Sequence, residues 1–256
     1  MRTLLAASAT LLLAATASAS PWDCSNKEAR SGSVGAAGIS RVVVIARAGT
    51  LKVTGGGGGG EVRATGTACA SDADLLKDMK LNVTRSGSEV RVEAVIPEPS
   101  VWWGNKDATL DFEVALPGNV AVDVHDSSGE AEIDNVGTLT VDDSSGDLRI
   151  RGVRGDLSVN DTSGGMYIRD VTGNVRIEDG SGEIEVEQVG GDVLVADDGS
   201  GEIDIRNVKR NVRIDEDGSG GLSVQDVGGD FTVGSKGSGG ISYDRVAGRV
   251  NVPRRR

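Results

Sequence analysis

The sequence has very few of the residues that most catalytic and metal centres use. It contains one histidine, His125, and two cysteines, Cys24 and Cys69, among 256 residues. No recognisable motif places a serine or cysteine nucleophile near His125, so neither a catalytic triad nor a histidine metal site is indicated. We interpret His125 as an ordinary surface residue at a strand end. The sequence predicts no catalytic residue and no cofactor, and we do not expect an enzyme.

Positive charge is also scarce. The chain has 27 Lys and Arg against 39 Asp and Glu, which gives a formal net charge of −12. Nucleic acids and anionic lipid surfaces bind through clustered Lys and Arg. The composition therefore argues against both as general partners, and the basic tail Arg254-Arg255-Arg256 does not reverse that balance.

Long hydrophobic runs are missing except at the N-terminus. Arg2, the apolar run Leu4 to Ala15 and then Ala17-Ser18-Ala19 follow the order of a secretory signal peptide, with cleavage after Ala19. No other stretch approaches the 18 apolar residues of a membrane helix, and Cys24 does not lie in a lipid-attachment box. The sequence thus predicts an exported protein, periplasmic or secreted, with no membrane insertion after cleavage.

The two cysteines form an even pair in a chain expected to be exported. Such a pair is typical of a disulfide, here one between Cys24 and Cys69 that would tie down the mature N-terminus. The alternative is two small buried residues that never meet.

What the sequence does contain is a repeat. Ser-Gly occurs seven times in the second half of the chain, with the glycines 17, 18, 18, 19, 19 and 19 residues apart: Gly129, Gly146, Gly164, Gly182, Gly201, Gly220 and Gly239. A fixed period of this size indicates a repeat architecture, in which each unit buries its apolar face against its neighbours.

Five apolar columns run through the seven repeats, at about 2, 4, 7, 11 and 13 residues after each of those glycines. The third column is valine throughout: Val136, Val153, Val171, Val189, Val208, Val227 and Val246. The spacing of two within the first and the last pair of columns predicts two short strands per repeat, each with one buried face. The extra residue of the longer repeats falls before Ser-Gly, so we expect the loop at that corner to absorb it.

Two strands per repeat fit either hairpins of a meander or coils of a parallel solenoid. Equivalent residues stack directly in a solenoid, and the seven valines are what such a stack looks like. We therefore predict an all-β, single-domain parallel β-solenoid (β-helix) with coils of about 17–19 residues, each with two short strands.

The repeat also suggests a domain organisation. We divide the chain into a signal peptide (1–19), an N-terminal lead segment (20–40), an irregular β part that opens or caps the solenoid (41–125), seven regular coils (126–252) and a basic tail (253–256). One short helix is expected at residues 73–79 with Ser71 as its N-cap. Pro253 and the three arginines are interpreted as a block against end-to-end stacking of strand edges.

Two groups of residues are candidates for binding. Aspartates recur at one corner of the repeat, where oxygen-rich turns either hold calcium or simply turn the chain. The candidates are Asp142, Asp143, Asp197, Asp198, Asp215 and Asp217. Trp102 and Trp103 lie in a proline-flanked loop and either contact a ligand such as a sugar ring or cover the open end of the core.

These features together resemble a known family. The signal peptide, the phrase Leu116-Pro117-Gly118-Asn119-Val120 and units such as Ser181-Gly182-Glu183-Ile184-Glu185-Val186 resemble the bacterial putative-adhesin family, a domain of unknown function with tandem Ser-Gly repeats. The resemblance covers roughly residues 40–252. It implies a parallel β-helix, right-handed, in an envelope or secreted protein, and it brings no catalytic or binding residues.

The leading functional hypothesis is an exported, non-enzymatic β-solenoid of the bacterial cell envelope that acts as an adhesin-like module, with an envelope protein or glycan as its unidentified partner. The second is a periplasmic structural or scaffold protein. The third, a polysaccharide-acting β-helix enzyme, has the fold in its favour and its scattered outward residues against it.

Overall fold

A computed structural model describes residues 24–57, 59–97 and 107–253. The predicted signal peptide, Trp102, Trp103 and the arginine tail lie outside these residues. The described chain forms 22 strands and one helix. Its N-terminal elements are β1 (Asn26–Gly35), β2 (Arg41–Ile45), β3 (Leu51–Gly55), β4 (Glu61–Ala70), α1 (Ala73–Asp78), β5 (Lys80–Ser86), β6 (Glu89–Val95) and β7 (Ala108–Leu116).

Strand β8 leads into the repeat region, and each of the seven repeats then supplies two strands. The remaining strands are thus β8 (Ala121–Asp126), β9 (Ala131–Asp134), β10 (Leu139–Asp143), β11 (Leu148–Val153), β12 (Leu157–Asp161), β13 (Met166–Val171), β14 (Val175–Asp179), β15 (Ile184–Val189), β16 (Val193–Asp198), β17 (Ile203–Val208), β18 (Val212–Ser219), β19 (Leu222–Val227), β20 (Phe231–Ser238), β21 (Ile241–Val246) and β22 (Val250–Asn251).

Two parallel stacks of strands face each other across the core. One sheet has the order β1-β4-β7-β3-β9-β11-β13-β15-β17-β19-β21, and the other β22-β20-β18-β16-β14-β12-β10-β8-β2-β6-β5. From β8 onward each strand pairs in parallel with the strand two places later, so successive coils stack one on the next. The predicted parallel β-solenoid is confirmed.

The apolar columns form the core because this register stacks each apolar side chain on the equivalent side chain of the next coil. Val153, Val171, Val189, Val208 and Val227 pair in sequence along one sheet, and each is at most 2% exposed. Burial of such side chains contributes about 1.5–3 kcal/mol each before chain entropy is subtracted. The last described coil differs, since no further described coil lies above it, and Tyr243 of its second column is 50% exposed.

The first coil of the solenoid is out of sequence order. β2 pairs in parallel with both β6 and β8, and β3 with both β7 and β9. The β2–β3 coil therefore lies between β6–β7 and β8–β9, although it precedes both in the chain. The apolar pattern marks these segments as strands, but it does not specify which neighbour each one joins.

Antiparallel strands cover the N-terminal end of the rod. β1 pairs with β4, β4 with β7 and β5 with β6, all antiparallel. The strand β1 falls in the lead segment, where the sequence pattern predicted no strand. These antiparallel strands, and not a further coil, thereby cover the strand edges at the N-terminal end of the stack.

Helix α1 packs Leu75 and Leu76 onto this end of the core. The predicted helix is confirmed, but its predicted cap is wrong. Asp72 is the N-cap and accepts from the backbone N–H of Asp74 and Leu75, while the Ser71 hydroxyl accepts from the N–H of Asp107. Ser and Asp are equally good N-caps, and here the Ser71 hydroxyl is engaged by Asp107, which leaves Asp72 to cap the helix. One residue is a common error in a predicted boundary.

The extra residue of the longer coils is also placed differently from the prediction. The pairing of β14 with β16 shifts register between Ile177 and Glu178, which leaves Ala196 as a bulge inside β16. The strand thus absorbs the insertion, and the Asp-x-Ser-Gly corner that follows keeps its register with the coil below.

That corner requires glycine. Gly146 has φ +130°, and a Cβ atom there would lie 1.7 Å from the carbonyl oxygen of Gly129 in the adjacent coil. Only a residue without Cβ allows the coils to approach this closely.

We expect Gly146→Ala to lower the free energy of unfolding by about 2–3 kcal/mol, because the clash adds to the strain of a positive φ. Urea denaturation of the purified protein measures it. Gly35→Ala is the matched control, since a Cβ at Gly35 meets nothing within 4 Å. Equal stability of the two variants would contradict the close stacking of the corners.

Candidate functional site

The six aspartates proposed from the sequence divide into two sets. Asp143, Asp198 and Asp217 are buried, whereas Asp142, Asp197 and Asp215 are exposed or half-buried on the outer side of the same strands. The buried three belong to a longer column, one residue per coil, three positions before each repeat glycine. We call it the aspartate ladder: Asp126, Asp143, Asp161, Asp179, Asp198 and Asp217.

The ladder follows directly from the strand register. Each of the six pairs with the next in parallel alignment, and Lys236 takes the seventh position above Asp217. Neighbouring rungs of a parallel sheet are about 4.8 Å apart. Six carboxyl groups, each at most 5% exposed, are thereby stacked inside one corner of the rod.

At the lower rungs the side chain helps to turn the chain. One carboxylate oxygen of Asp143 accepts from the N–H of Ser145, and Asp161 accepts from the N–H of Ser163, each at 3.2 Å. These are Asx turns, a common role for aspartate at a corner. The second oxygen of each is buried, and no hydrogen-bond partner for it lies in the described part of the chain.

The upper rungs are less well satisfied. For Asp179 and Asp198, the described residues offer no hydrogen bond of normal geometry to either carboxylate oxygen. Buried polar atoms without a partner are uncommon in folded proteins, and a buried charge without one is costly. This pair therefore calls for a proton or another positive charge.

The burial of the ladder also changes its acidity. Desolvation, with the adjacent carboxylates adding to it, raises the pKa of Asp126 and of Asp198 to about 7. The same causes raise the pKa of Asp143 and of Asp179 to about 6. Burial also raises the pKa of Asp161. The charged form of these groups is disfavoured because water is replaced by protein and like charges lie above and below.

A lysine ammonium occupies the top of the ladder. Lys236 Nζ lies 3.0 Å from Asp217 Oδ1, 2.8 Å from the carbonyl oxygen of Gly220 and 2.5 Å from that of Ser238. The Lys236 side chain is 4% exposed and that of Asp217 is 1% exposed. The three donors of an ammonium group thus meet three oxygen acceptors in a buried pocket of the corner.

The outer aspartates have different surroundings. Asp142 Oδ2 lies 3.0 Å from His125 Nδ1, with both side chains about half exposed, and Asp215 pairs with Arg213. Within the described residues, no three His, Cys, Asp or Glu side chains converge as a metal-ligand group. The structure thus brings together one aspartate per coil inside the corner, and it separates each of these from its outer neighbour.

The opposite corner carries a groove. It has a volume of about 920 Å³ and runs over five successive coils, from Asp170 and Thr172 through Gln188 and Asn207 to Arg245. Third-column valines form its floor, and carboxylate, amide and basic side chains form its rim. We call it the edge groove.

A repeated backbone conformation creates the edge groove. The residue before the third-column valine has a positive φ in six coils, between 51° and 62°: Asn135, Asp170, Gln188, Asn207, Asp226 and Arg245. In the second coil the same position is Gly152. Left-handed backbone at a fixed place turns the chain in the same direction in every coil, and the corners align.

Sequence reasoning identified neither the burial of the ladder nor the groove, although both left a signal. Aspartate stands three residues before the repeat glycine in six of seven coils, and lysine in the seventh. Asn and Asp, which tolerate left-handed backbone, recur just before the valine column. Aligning the repeats by these polar positions, and not only by the apolar ones, would have marked both corners.

Cys24 and Cys69 come together at the N-terminal end. Their Cα atoms are 5.8 Å apart, a separation typical of disulfides, and the pair would close a loop with a sequence separation of 45.

We expect the purified protein to gain the mass of two hydrogen atoms on reduction. Replacing both cysteines by serine should lower the free energy of unfolding by about 2–4 kcal/mol, because the unfolded chain gains freedom. Mass spectrometry and urea denaturation measure these effects. Two thiols that are alkylated without prior reduction would show the disulfide to be absent.

The single described helix, α1, is far too short and too polar to cross a bilayer, and no other described segment is a helix.

Comparison with known proteins gives one family match. The family model described as Toastrack DUF4097 matches residues 61–247. No curated protein matches the chain.

Solved structures give weaker likenesses. A protein of Clostridium sporogenes described as a "putative cell adhesion protein" is 11% identical, with 89% of this chain and 99% of that chain covered and a TM-score of 0.33. A "putative adhesin" of Parabacteroides distasonis is 12% identical, with 88% and 97% covered and a TM-score of 0.36. A "putative lipid binding protein" of the same species is 12% identical, with 90% and 98% covered and a TM-score of 0.34. Likenesses at these scores support no conclusion about residues of this chain.

Proposed function

Because the chain belongs to the Toastrack DUF4097 family, we propose that it is an exported, non-enzymatic β-solenoid that serves as an adhesin-like interaction module of the bacterial cell envelope. The observation that carries this proposal is the edge groove, an open surface that repeats over five coils. A rigid rod that presents one repeated surface is suited to binding a partner along its length.

The shape and chemistry of the edge groove favour an extended, polar polymer chain. Four steps of about 4.8 Å give the groove a length of about 19 Å. Its rim carries carboxylates at Asp170 and Glu187, amides at Gln188 and Asn207, and a cation at Lys209. Arg169 already pairs with Asp170, Glu187 and the Gln188 side-chain oxygen, so a ligand meets their remaining lone pairs and the amide N–H groups. Such groups hydrogen-bond to the hydroxyl groups of a glycan or to the backbone of a polypeptide segment.

A bulky side chain placed in the edge groove tests whether a partner binds there. Thr172 is an exposed groove residue, and Thr162 is an exposed threonine at the opposite corner. We expect Thr172→Trp to weaken binding of the exported protein to isolated cell envelopes at least tenfold, while Thr162→Trp leaves it unchanged. Pretreating the envelopes with protease or with periodate distinguishes a protein partner from a glycan.

If both tryptophan variants bind like the parent protein, the groove is not the working surface. Depolymerisation of acidic polysaccharides by the purified protein would contradict the non-enzymatic assignment.

A periplasmic scaffold is the second candidate, favoured by the end of the rod. The last coil leaves Tyr243 50% exposed and Ile241, Val246 and Val250 partly buried, which is a surface suited to end-on association. Cell fractionation separates the two roles. Exposure at the cell surface supports the adhesin-like module, whereas confinement to the periplasm supports the scaffold.

A further inference from the structure

The aspartate ladder lies at the opposite corner of the rod from the edge groove, and its charge balance is a separate question. If all six carboxyl groups were ionised, Lys236 would be the one cation in the column, and it contacts the rung at the top, Asp217. The other rungs are separated from it by one or more coils. A stack of buried carboxylates at this spacing is unfavourable unless positive charge lies between the rungs.

Lys236 shows where a positive charge fits. Its ammonium lies in the gap above Asp217 and contacts one carboxylate oxygen and the carbonyl oxygens of Gly220 and Ser238. The backbone of this gap is repeated below, because the N–H of Gly220 donates to Ser238 O just as the N–H of Gly182 donates to Ser200 O. In the gap between Asp179 and Asp198 the equivalent carbonyls are therefore those of Gly182 and Ser200.

The gap between Asp179 and Asp198 differs from the lysine gap in having a carboxylate on both sides. Asp179 is 5% exposed and Asp198 is 1% exposed. By strict hydrogen-bond geometry none of their four oxygens has a partner among the described residues. The Asp179 carboxyl group does lie near the backbone N–H groups of Gly180 and Ser181, and the two carboxyl groups lie close to each other. Four carboxylate oxygens and two backbone carbonyls thus lie around a gap whose equivalent two coils higher holds the Lys236 ammonium group.

The number and kind of oxygen ligands select the ion. Two carboxyl groups and two backbone carbonyls offer up to six oxygens from strands that lie about 4.8 Å apart. Calcium binds oxygen at 2.3–2.6 Å with six to eight ligands, whereas magnesium requires about 2.0–2.1 Å and near-octahedral geometry. Two aspartates also supply the two negative charges that neutralise one Ca²⁺.

We propose that the aspartate ladder is an internal calcium site, with Ca²⁺ held between Asp179 and Asp198 and the carbonyl oxygens of Gly182 and Ser200, and with Lys236 as the built-in cation that closes the ladder. The two side-chain ligands come from adjacent coils, so the ion clamps one coil to the next. The bulge at Ala196 keeps Asp198 above Asp179 despite the longer repeat.

Calcium titration of the chelator-treated exported protein tests the proposal. Isothermal calorimetry at pH 7.5 should give a dissociation constant of about 10⁻⁵ to 10⁻³ M, the range of weaker sensor and extracellular sites. The melting temperature should rise by several degrees in millimolar Ca²⁺ and by less in Mg²⁺.

Two asparagine variants locate the ion. Asp198→Asn should weaken calcium binding at least tenfold, whereas Asp197→Asn, the change at its exposed neighbour, should leave the affinity within a factor of two. Loss of binding in Asp197→Asn with retention in Asp198→Asn would place the ion on the surface and overturn the proposal.

Calcium binding by the parent protein is a test that needs no variant. If Ca²⁺ produces neither heat nor a change in melting temperature, the ladder is neutralised by protons and the proposal is wrong. This result does not depend on the folding of any variant, and it leaves the edge groove untouched.

Discussion

Replacing Lys236 by methionine should lower the free energy of unfolding by about 3–5 kcal/mol. The lysine side chain is 4% exposed, and its ammonium is held by Asp217 and two carbonyl oxygens. Methionine preserves much of the apolar stem but leaves the Asp217 carboxylate buried without its cation, which is the costly way to break a buried ion pair. Urea denaturation monitored by circular dichroism measures the change.

Two further variants isolate the pair. Lys209→Met removes an exposed lysine and should change stability by less than about 0.5 kcal/mol. Lys236→Met combined with Asp217→Asn removes both charges and should recover at least half of the loss, since no buried charge remains. If the double variant is no more stable than Lys236→Met, the pair does not carry the effect.

The second large effect is an unusual dependence of stability on pH. In chelator-treated protein, we expect the free energy of unfolding to fall as the pH rises from about 4 to about 7. Burial and neighbouring carboxylates raise the pKa of Asp198 to about 7 and that of Asp179 to about 6, above the unfolded value of about 3.9. The folded state then binds more protons than the unfolded state across this window.

The direction follows from proton linkage. A group whose pKa is raised on folding gives its full stabilisation below the unfolded pKa and loses it as the pH rises through the folded pKa. Several rungs acting together make the change on the order of several kcal/mol. Glu132, whose pKa is lowered by a hydrogen bond from Lys52, acts in the opposite direction, but its contribution is lost only as the pH falls through its lowered pKa.

Chemical denaturation at a series of pH values measures this profile. Asp179→Asn combined with Asp198→Asn should flatten it, whereas Asp197→Asn, a change at an exposed position, should not. A parent protein whose stability rises steadily from pH 4 to pH 7, as for most proteins, would show that the ladder is ionised and compensated even without calcium.

Much of the fold could be predicted from the sequence because the repeat specifies it many times. Seven copies of the five-column pattern predicted two strands per coil, and the register of Val153, Val171 and Val189 confirms the stacking. The position of helix α1 also followed from local chemistry. The cap moved by one residue because Ser71 and Asp72 are both good caps and only the surrounding contacts choose between them.

The candidate site was predicted less completely. The aspartates at the corner were visible in the sequence, but Asp197 and Asp198 are adjacent, and one points outward while the other is buried. Which one turns inward depends on the bulge at Ala196, which appears only when β16 is paired with β14. Successive side chains of a strand point to opposite faces, so a one-residue bulge decides which of the two aspartates is buried.

By itself the sequence determined the parallel solenoid and the strand positions, because apolar periodicity is a local property that each coil repeats. The tertiary structure alone decided three other features. It placed the β2–β3 coil out of order between β6–β7 and β8–β9, it aligned the left-handed corner residues into the edge groove, and it stacked the aspartates beneath Lys236. Each of these depends on which segments become neighbours, and on the desolvation and charge that those neighbours impose, neither of which a single coil contains.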